Sequence, residues 1–148
     1  MQNFPLLEAV ARLKKPIIIK RGFMSTIDEL MYACEYAVSC GNDTIIICER
    51  GIRTFQKESR FSLDITSIPA IQAKTDFPVI VDPSHSTGKK DWVERVSYAA
   101  IAAGADGLMF EVHNAPHLSL SDEQQIVDLP TAEKIASTTK KIHALIYG

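Results

Sequence analysis

The sequence predicts an α/β fold built on a parallel sheet, and two observations carry this prediction. Short, continuous apolar runs rich in β-branched residues occur four times, roughly 30 residues apart. The segments between them carry apolar residues at helical spacing. Strict alternation of strand and helix predicts parallel strands with right-handed crossovers, in a sheet that is either doubly wound or barrel-like. The predicted strands are Pro16–Ile19, Thr44–Ile47, Pro78–Val81 and Gly107–Phe110.

Two helices are predicted around the first strand. The first spans Phe4 to Lys14, with Asn3 as its amino-terminal cap. The second spans Ile27 to Val38 and begins with the capping box Thr26-x-x-Glu29. Gly41 can adopt the left-handed conformation that ends a helix. The third strand run should follow a further helix, for which Ile68 to Lys74 is the best candidate, although the segment from Ser59 to Asp76 has a weaker pattern.

The last two helices flank the fourth strand. Asp91 is a candidate cap for a helix that ends at Gly104, and Pro130-Thr131 opens a final helix. No linker or low-complexity segment divides the chain, so residues 1–148 are predicted to form a single unit. The expected apolar faces are Trp92, Val96, Ala99, Ala100 and Ala103 on one helix, and Ile135, Ile142, Leu145 and Ile146 on the other.

Composition excludes several classes of function. The 148 residues are 46% hydrophobic, with 16 basic and 18 acidic side chains and a formal charge of -2. Near-neutral charge without a Lys/Arg block gives no electrostatic reason to expect nucleic acid or an anionic membrane as partner. There is no run of membrane-spanning length and no signal-peptide pattern at the start, so a cytoplasmic protein is predicted. The three cysteines suggest reduced, mostly buried thiols.

Chemically capable residues follow every predicted strand. The four runs are followed by Lys20-Arg21, Glu49-Arg50, Asp82-Pro83-Ser84-His85 and Glu111-Val112-His113. Because ligands gather at the carboxyl ends of parallel strands, these side chains are expected to share one site. Lys20 and Arg50 suit a phosphate or carboxylate. His85, Glu111 and Asp122 would supply one imidazole and two carboxylates, a mixture that suits Mn, Fe, Co or Zn better than Mg or Ca.

Four long motifs stand out in the chain: Lys15–Gly22, Ile47–Phe55, Val79–Gly88 and Ala105–His113. Together they resemble one family, the 3-deoxy-D-arabino-heptulosonate 7-phosphate (DAHP) synthases of the short, chorismate-mutase-related type. The related 3-deoxy-manno-octulosonate 8-phosphate synthases resemble the chain at Glu111-Val-His and Leu120-Ser-Asp122, but they differ at Ile52-Arg-Thr-Phe and Asp82-Pro-Ser-His85. The octulosonate synthases therefore remain an alternative.

The resemblance implies a fold and a reaction. DAHP synthases are (β/α)8 barrels that use a divalent metal to condense phosphoenolpyruvate with erythrose 4-phosphate, the entry step of aromatic amino-acid biosynthesis (the shikimate pathway). Matched motif by motif, Lys20 and Arg50 are expected to bind phosphoenolpyruvate, and His85, Glu111 and Asp122 to be three of four metal ligands. Lys20 and His85 are the candidate catalytic residues.

Supporting roles follow from the same motifs. Glu49 and Asp82 are expected to orient Arg50 and His85 rather than to act as acid or base. His113 is expected to neighbour the metal ligands without binding the metal, while His117 and His143 are expected at the surface. Cys48 is not expected to replace the family's cysteine ligand.

Two departures from the family qualify these expectations. Where the family commonly reads Ser-Asp-Gly-Pro-Gln, the chain has Ser121-Asp122-Glu123-Gln124-Gln125, so the turn that holds Asp122 is changed. The four predicted units also match only the fifth to eighth of the family's barrel, which typically takes about 250 residues.

An unclosed half-barrel exposes two strand edges, so a partner is expected. The partner would be a second copy of the chain or a complementing amino-terminal half-barrel. The alternative is a non-catalytic half-barrel that self-associates.

Overall fold

Four parallel strands form one sheet, and their order in the sheet is their order in the chain. The computed structural model describes all residues from Met1 to Gly148. All four predicted strands are confirmed, although their ends shift by one or two residues and the fourth is short. The bounds are β1 Ile17–Lys20, β2 Ile45–Glu49, β3 Val79–Val81 and β4 Gly107–Leu108.

Six α-helices surround or follow this sheet. The five predicted helices are present, and a short additional helix, α4, directly follows β3. Single 3-10 turns occur at Pro116–Leu118 and Glu123–Gln125. The helices are α1 Phe4–Ala11, α2 Ile27–Ser39, α3 Ser67–Gln72, α4 Pro83–Thr87, α5 Lys90–Ala102 and α6 Leu129–Tyr147.

Local sequence explains where most helices begin. The Asn3 side chain accepts a hydrogen bond from the backbone of α1, and Thr26 forms both halves of the predicted capping box with Glu29. Asp128 caps α6 by accepting from the backbone N–H of Thr131 at 2.8 Å. Gly41 has a φ of +93°, as predicted for the residue that ends α2.

The start and the buried face of α5 differ from the prediction. Lys89, not Asp91, occupies the capping position, so Asp91 lies inside the first turn. The buried residues are Val93, Ser97, Ala100 and Ile101, whereas Trp92 lies beneath the Lys89 ammonium and is 38% exposed. The buried face is displaced because α5 packs on two partners. Ala100 and Ile101 belong to the core that covers the sheet. Val93 belongs to a smaller cluster, which also contains Ile135 of α6 and Val127 just before that helix.

The carboxyl-terminal part of α6 also differs from the prediction. Ile135 is fully buried and Ile142 packs on the main core, but Leu145 and Ile146 are exposed. No element of this chain covers the last turn of that helix face.

The core lies on one face of the sheet only. Alternate strand residues, from Ile17 and Ile19 to Val79 and Val81, are buried against residues of α1, α2, α3 and α5. On the opposite face Ile18 is 47% exposed. The strands were predicted to be covered on both faces, but the helices of this chain cover only one. Sequential parallel strands with helices on a single side are the arrangement of a partial (β/α) barrel, and a doubly wound sheet is excluded.

None of the helices combines the length and apolar character needed to cross a membrane.

Candidate functional site

The sheet brings the sequence-predicted site residues to one edge. Lys20 is the last residue of β1 and pairs in register with Cys48 of β2, so Arg50 follows two residues beyond that pair. Arg50 and His85 follow neighbouring strands, and Glu111 follows β4. The expectation that these side chains gather at the carboxyl ends of the strands is therefore met by the fold.

Asp82 organises this edge. It caps α4, where its Oδ1 accepts from the backbone N–H of His85 at 2.9 Å. Its Oδ2 lies 2.7 Å from Nδ1 of His85 and also forms an ion pair with Nζ of Lys20. The Asp82 side chain is only 1% exposed. Because an ionised carboxylate can only accept, we assign a proton to Nδ1 of His85, so that Nε2 is the ring nitrogen through which a neutral His85 can bind a metal.

Three side chains form a cluster of candidate metal ligands. One ligand atom each from His85, Glu111 and Asp122 lie within 4.8 Å of one another. Two atoms bound to one ion at about 2.1 Å are at most about 4.2 Å apart, and the 3.6 Å between Nε2 of His85 and Oε1 of Glu111 is inside that limit. A pair at the full 4.8 Å would have to approach by about 0.6 Å to share one ion. One imidazole beside two carboxylates matches the donor chemistry of a divalent transition metal.

The changed turn still carries Asp122 to the cluster. Asp122 adopts a left-handed conformation with φ +55°, which Asp tolerates better than most non-glycine residues. Its Oδ1 lies 3.3 Å from Nη1 of Arg60, and its side chain is 36% exposed. Asp122 is thus the most exposed of the three candidate ligands.

Arg50 carries a polar atom without a partner. Its Nη1 is buried and makes no hydrogen bond, and the guanidinium carbon lies 4.2 Å from the centre of the Phe61 ring. Burial lowers the pKa of Arg50, while the Asp82 charge opposes and the Arg60 charge reinforces that shift. Because a buried N–H group is costly when unpaired, this atom is suited to an anionic ligand.

Glu49 has a different partner from the one expected. It is fully buried, and its Oε2 accepts from Nη1 of Arg21 at 2.9 Å and from the Ser67 hydroxyl at 3.1 Å. The same Arg21 nitrogen is 2.9 Å from Oδ2 of Asp64. The prediction that Glu49 orients Arg50 is wrong, because Arg21 competes for the carboxylate from the adjacent strand end and is itself buried.

The other histidines lie outside the cluster of candidate ligands. Nδ1 of His113 accepts from the backbone N–H of Ala115, and His117 and His143 are exposed, as predicted for those two. Cys48 is fully buried, and burial raises its pKa to about 12, so it is a neutral thiol rather than a metal-binding thiolate at neutral pH.

Sequence reasoning missed two residues that contact the cluster. Gln125 hydrogen-bonds to Glu111, and Arg60 contacts both Gln125 and Asp122. The one signal for Gln125 was the retained glutamine at the end of the altered Ser-Asp-Gly-Pro-Gln motif. Nothing local to Arg60 indicates its contact with a residue 62 positions away.

Fold and site together define a class: an α/β protein of the (β/α)-barrel type with cations and a candidate metal cluster at the carboxyl ends of its strands. The sequence comparisons identify the family within that class. The model of the DAHP synthetase I family matches residues 1–147, and the chain belongs to that family.

Curated relatives fall into two groups by identity. The chain is 46% identical over 141 residues to phospho-2-dehydro-3-deoxyheptonate aldolase of Thermotoga maritima, covering 95% of this chain and 42% of that protein. It is 33% identical over 152 residues to 2-dehydro-3-deoxyphosphooctonate aldolase of Geobacter sp. (strain M21), covering 95% of this chain and 55% of that protein. The chain therefore spans about half the length of these relatives.

Solved structures agree with this assignment. The crystal structure of the Thermotoga maritima DAHP synthase matches with a TM-score of 0.95 and 45% identity, over 97% of this chain and 43% of that one. A truncated form of the same synthase matches equally well and is covered to 55%. The partial barrel predicted from the sequence is confirmed.

Proposed function

We propose that this chain carries half of a DAHP synthase site, which condenses phosphoenolpyruvate with erythrose 4-phosphate to give DAHP and phosphate. The observation that carries the proposal is the unpaired, buried Nη1 of Arg50 at the same edge as the cluster of His85, Glu111 and Asp122. An anion-binding group beside a candidate metal site suits a phosphorylated, carboxylate-bearing substrate. Membership of a family of aldol-type transferases supports the same reaction.

The residues divide into anion-binding and metal-binding roles. Lys20 and Arg50 would bind the carboxylate and phosphate of phosphoenolpyruvate, with Lys20 held near the reaction by Asp82. His85, Glu111 and Asp122 would hold a divalent ion such as Mn, Fe, Co or Zn. The ion would polarise the aldehyde oxygen of the sugar phosphate.

The reaction then follows from the substrates. The enol carbon of phosphoenolpyruvate bonds to the aldehyde carbon, water adds at the neighbouring carbon, and inorganic phosphate leaves. Lys20 and Arg50 would neutralise the negative charge of the carboxylate and phosphate of phosphoenolpyruvate throughout these steps. Asp82 would keep the proton of His85 on Nδ1, so that Nε2 remains a ligand.

The open sheet supports a complementing partner. One face is uncovered, with Ile18 47% exposed, and β1 and β4 are its edges. A separate amino-terminal half-barrel, or a second copy of this chain, would cover that face. We also infer a cytoplasmic location, which is supported by the three unpaired cysteines.

An assay of phosphoenolpyruvate consumption with erythrose 4-phosphate and Mn²⁺ tests the proposal. The chain is assayed alone and together with the amino-terminal half of the Thermotoga maritima relative. Turnover that requires His85 is the expected result, with His85→Ala inactive and the exposed His143→Ala unaffected. No turnover even in the mixture would refute the proposal and favour a non-catalytic, self-associating half-barrel.

The octulosonate reaction is tested in the same assay. Its product is one carbon longer, so a five-carbon sugar phosphate replaces erythrose 4-phosphate. The higher identity to the heptonate enzyme, 46% against 33%, supports the four-carbon substrate.

A further inference from the structure

A continuous hydrogen-bonded chain links two of the candidate metal ligands. Nε2 of Gln125 donates to Oε2 of Glu111 at 2.8 Å, and Oε1 of Gln125 accepts from Nη1 of Arg60 at 3.1 Å. The same Arg60 nitrogen lies 3.3 Å from Oδ1 of Asp122. Gln125 is only 2% exposed. The two carboxylates are therefore joined through one buried amide and one guanidinium.

The neighbours fix the orientation of the Gln125 amide. Arginine can only donate hydrogen bonds, and an ionised glutamate can only accept them. Reversing the amide would place its NH₂ group against the guanidinium of Arg60 and its oxygen against the carboxylate of Glu111. Both contacts would then be repulsive, so one orientation of Gln125 is strongly preferred.

Arg60 is itself anchored to the element that carries His85. Its backbone N–H donates to the carbonyl of Thr87, the last residue of α4, at 3.0 Å. Gly88 follows in a left-handed conformation, and a Cβ added there would lie 2.7 Å from Cβ of Arg60. The close approach of Arg60 to α4 therefore depends on a glycine at position 88.

We propose that Gln125 is a positioning residue for the metal site. Its amide engages Oε2 of Glu111, so that Oε1 is the oxygen that faces Nε2 of His85, at 3.6 Å. Through Arg60, the same amide ties the position of Asp122 to that of Glu111. This inference rests on the proposed metal site and adds to it a group that sets the direction of two ligands.

Titration of the chain with Mn²⁺, followed by the electron paramagnetic resonance signal of the free ion, tests the role of Gln125. Gln125→Met keeps the size of the side chain and removes both hydrogen bonds. We expect it to weaken Mn²⁺ binding about 10- to 100-fold. The matched control is Gln124→Met at the adjacent exposed glutamine, which should bind Mn²⁺ as the unaltered chain does.

Two further readouts separate positioning from simple structural support. With Co²⁺ in place of Mn²⁺, Gln125→Met should change the visible absorption bands, because Glu111 is no longer held in one direction. Mn²⁺ is titrated well below the melting temperature of the metal-free variant, so that the stability cost of the two lost hydrogen bonds does not account for weaker binding. A lowered metal-free melting temperature with unchanged Mn²⁺ affinity would show a structural role and overturn the inference.

The outcomes distinguish this inference from the proposed function. Mn²⁺ binding that is lost in His85→Ala but retained in Gln125→Met overturns the positioning role alone. Absence of Mn²⁺ binding, or binding unaffected by His85→Ala, overturns the metal site and the inference together. If Gln125→Met does not fold, Gln125→Asn decides, because it keeps an amide that is too short to bridge Glu111 and Arg60.

Discussion

Asp82 links the two parts of the candidate site at the scale of single residues. Its buried carboxylate pairs with Lys20, orients His85 and caps α4. It also contributes the favourable charge that partly offsets the cost of burying Arg50. One side chain therefore couples the anion-binding cations to the first candidate metal ligand, and a change at Asp82 would disturb both.

Replacing Arg50 with Met tests the anion-binding role. Charge-assisted hydrogen bonds contribute about 1.5–3 kcal/mol, so affinity for phosphoenolpyruvate should fall by roughly tenfold or more. Isothermal titration of the chain with phosphoenolpyruvate in the presence of Mn²⁺ measures the effect. Arg95→Met, at an exposed position of α5, is the control. Equal affinity in the two variants would contradict the role given to Arg50.

Two buried thiols predict a loss of stability at high pH. Burial raises the pKa of Cys48 to about 12 and that of Cys34 to about 11, against 9.0 for an ordinary thiol. The unfolded chain therefore loses these protons first, so the free energy of unfolding is unaffected below about pH 9 and falls as the pH rises towards the folded values. Each thiol contributes up to about 1.4 kcal/mol per pH unit within that window.

Urea denaturation between pH 8 and pH 10.5 measures this slope. Cys48→Ala should reduce it, and Cys34→Ala should reduce it as well, because each variant removes one buried thiol whose pKa is raised. The same slope in all three proteins would contradict the assignment of Cys48 as a buried neutral thiol.

Sequence reasoning at the residue scale succeeded where a side chain follows a strand directly. Lys20, Arg50, His85 and Glu111 are placed by the strand ends, and the parallel sheet brings those ends together. It failed for Gln125, whose role depends on contacts with distant side chains. Such contacts have no local pattern, because spacing predicts which face a residue occupies but not which partner it meets there.

Arg21 connects three elements. It follows β1, its guanidinium pairs with Glu49 at the end of β2, and it reaches Asp64 just before α3. Ser67 of α3 donates to the same Glu49 carboxylate. The buried charges of Arg21 and Glu49 compensate each other, so their pairing stabilises the relative position of two strands and a helix.

Arg21→Met should destabilise the chain strongly. Removing one partner of a buried ion pair leaves the other charge unpaired, which costs about 3–5 kcal/mol. Urea denaturation at neutral pH measures the loss. Arg12→Met is a suitable control, because Arg12 pairs with Glu8 on the exposed surface of α1 and should matter little. A similarly small effect in both variants would contradict the stabilising role of Arg21.

Helix features were predicted more accurately where they depend on local sequence than where one helix packs against several other elements. The start of α2 was predicted correctly, because a capping box is encoded within four residues. The face of α5 was predicted only in part: Ala100 and Ala103 pack in the core as predicted, whereas Val93, which was not predicted, packs in the cluster with Ile135 of α6. A single periodic stripe describes a helix with one partner better than a helix with two.

One face of the sheet is left uncovered in the molecule as a whole. Ile18 is 47% exposed, while Ile46 and Ile80 on the same face are half-buried. The strands β1 and β4 are also edges with unpaired backbone groups. An apolar face bordered by open edges favours pairing with another chain.

Self-association of the isolated chain is the expected consequence. Sedimentation velocity should show concentration-dependent species larger than the 16.4 kDa chain. Ile18→Lys should reduce this association, since it places a charge on the exposed face, whereas Lys140→Ala on the exposed side of α6 should not. A stable monodisperse monomer at all concentrations would contradict the pairing argument.

By itself the sequence determined the alternation of strand and helix, the caps of α1 and α2, and the set of strand-end residues from which the site is drawn. These features are local, because they depend on spacing, turn chemistry and the direction of parallel strands. Only the tertiary structure decided that Glu49 pairs with Arg21 and that a buried nitrogen of Arg50 has no partner. It also decided that Gln125 hydrogen-bonds to Glu111 and, through Arg60, is linked to Asp122. Those outcomes depend on which side chains compete for the same partner in space, and sequence spacing carries no information about that competition.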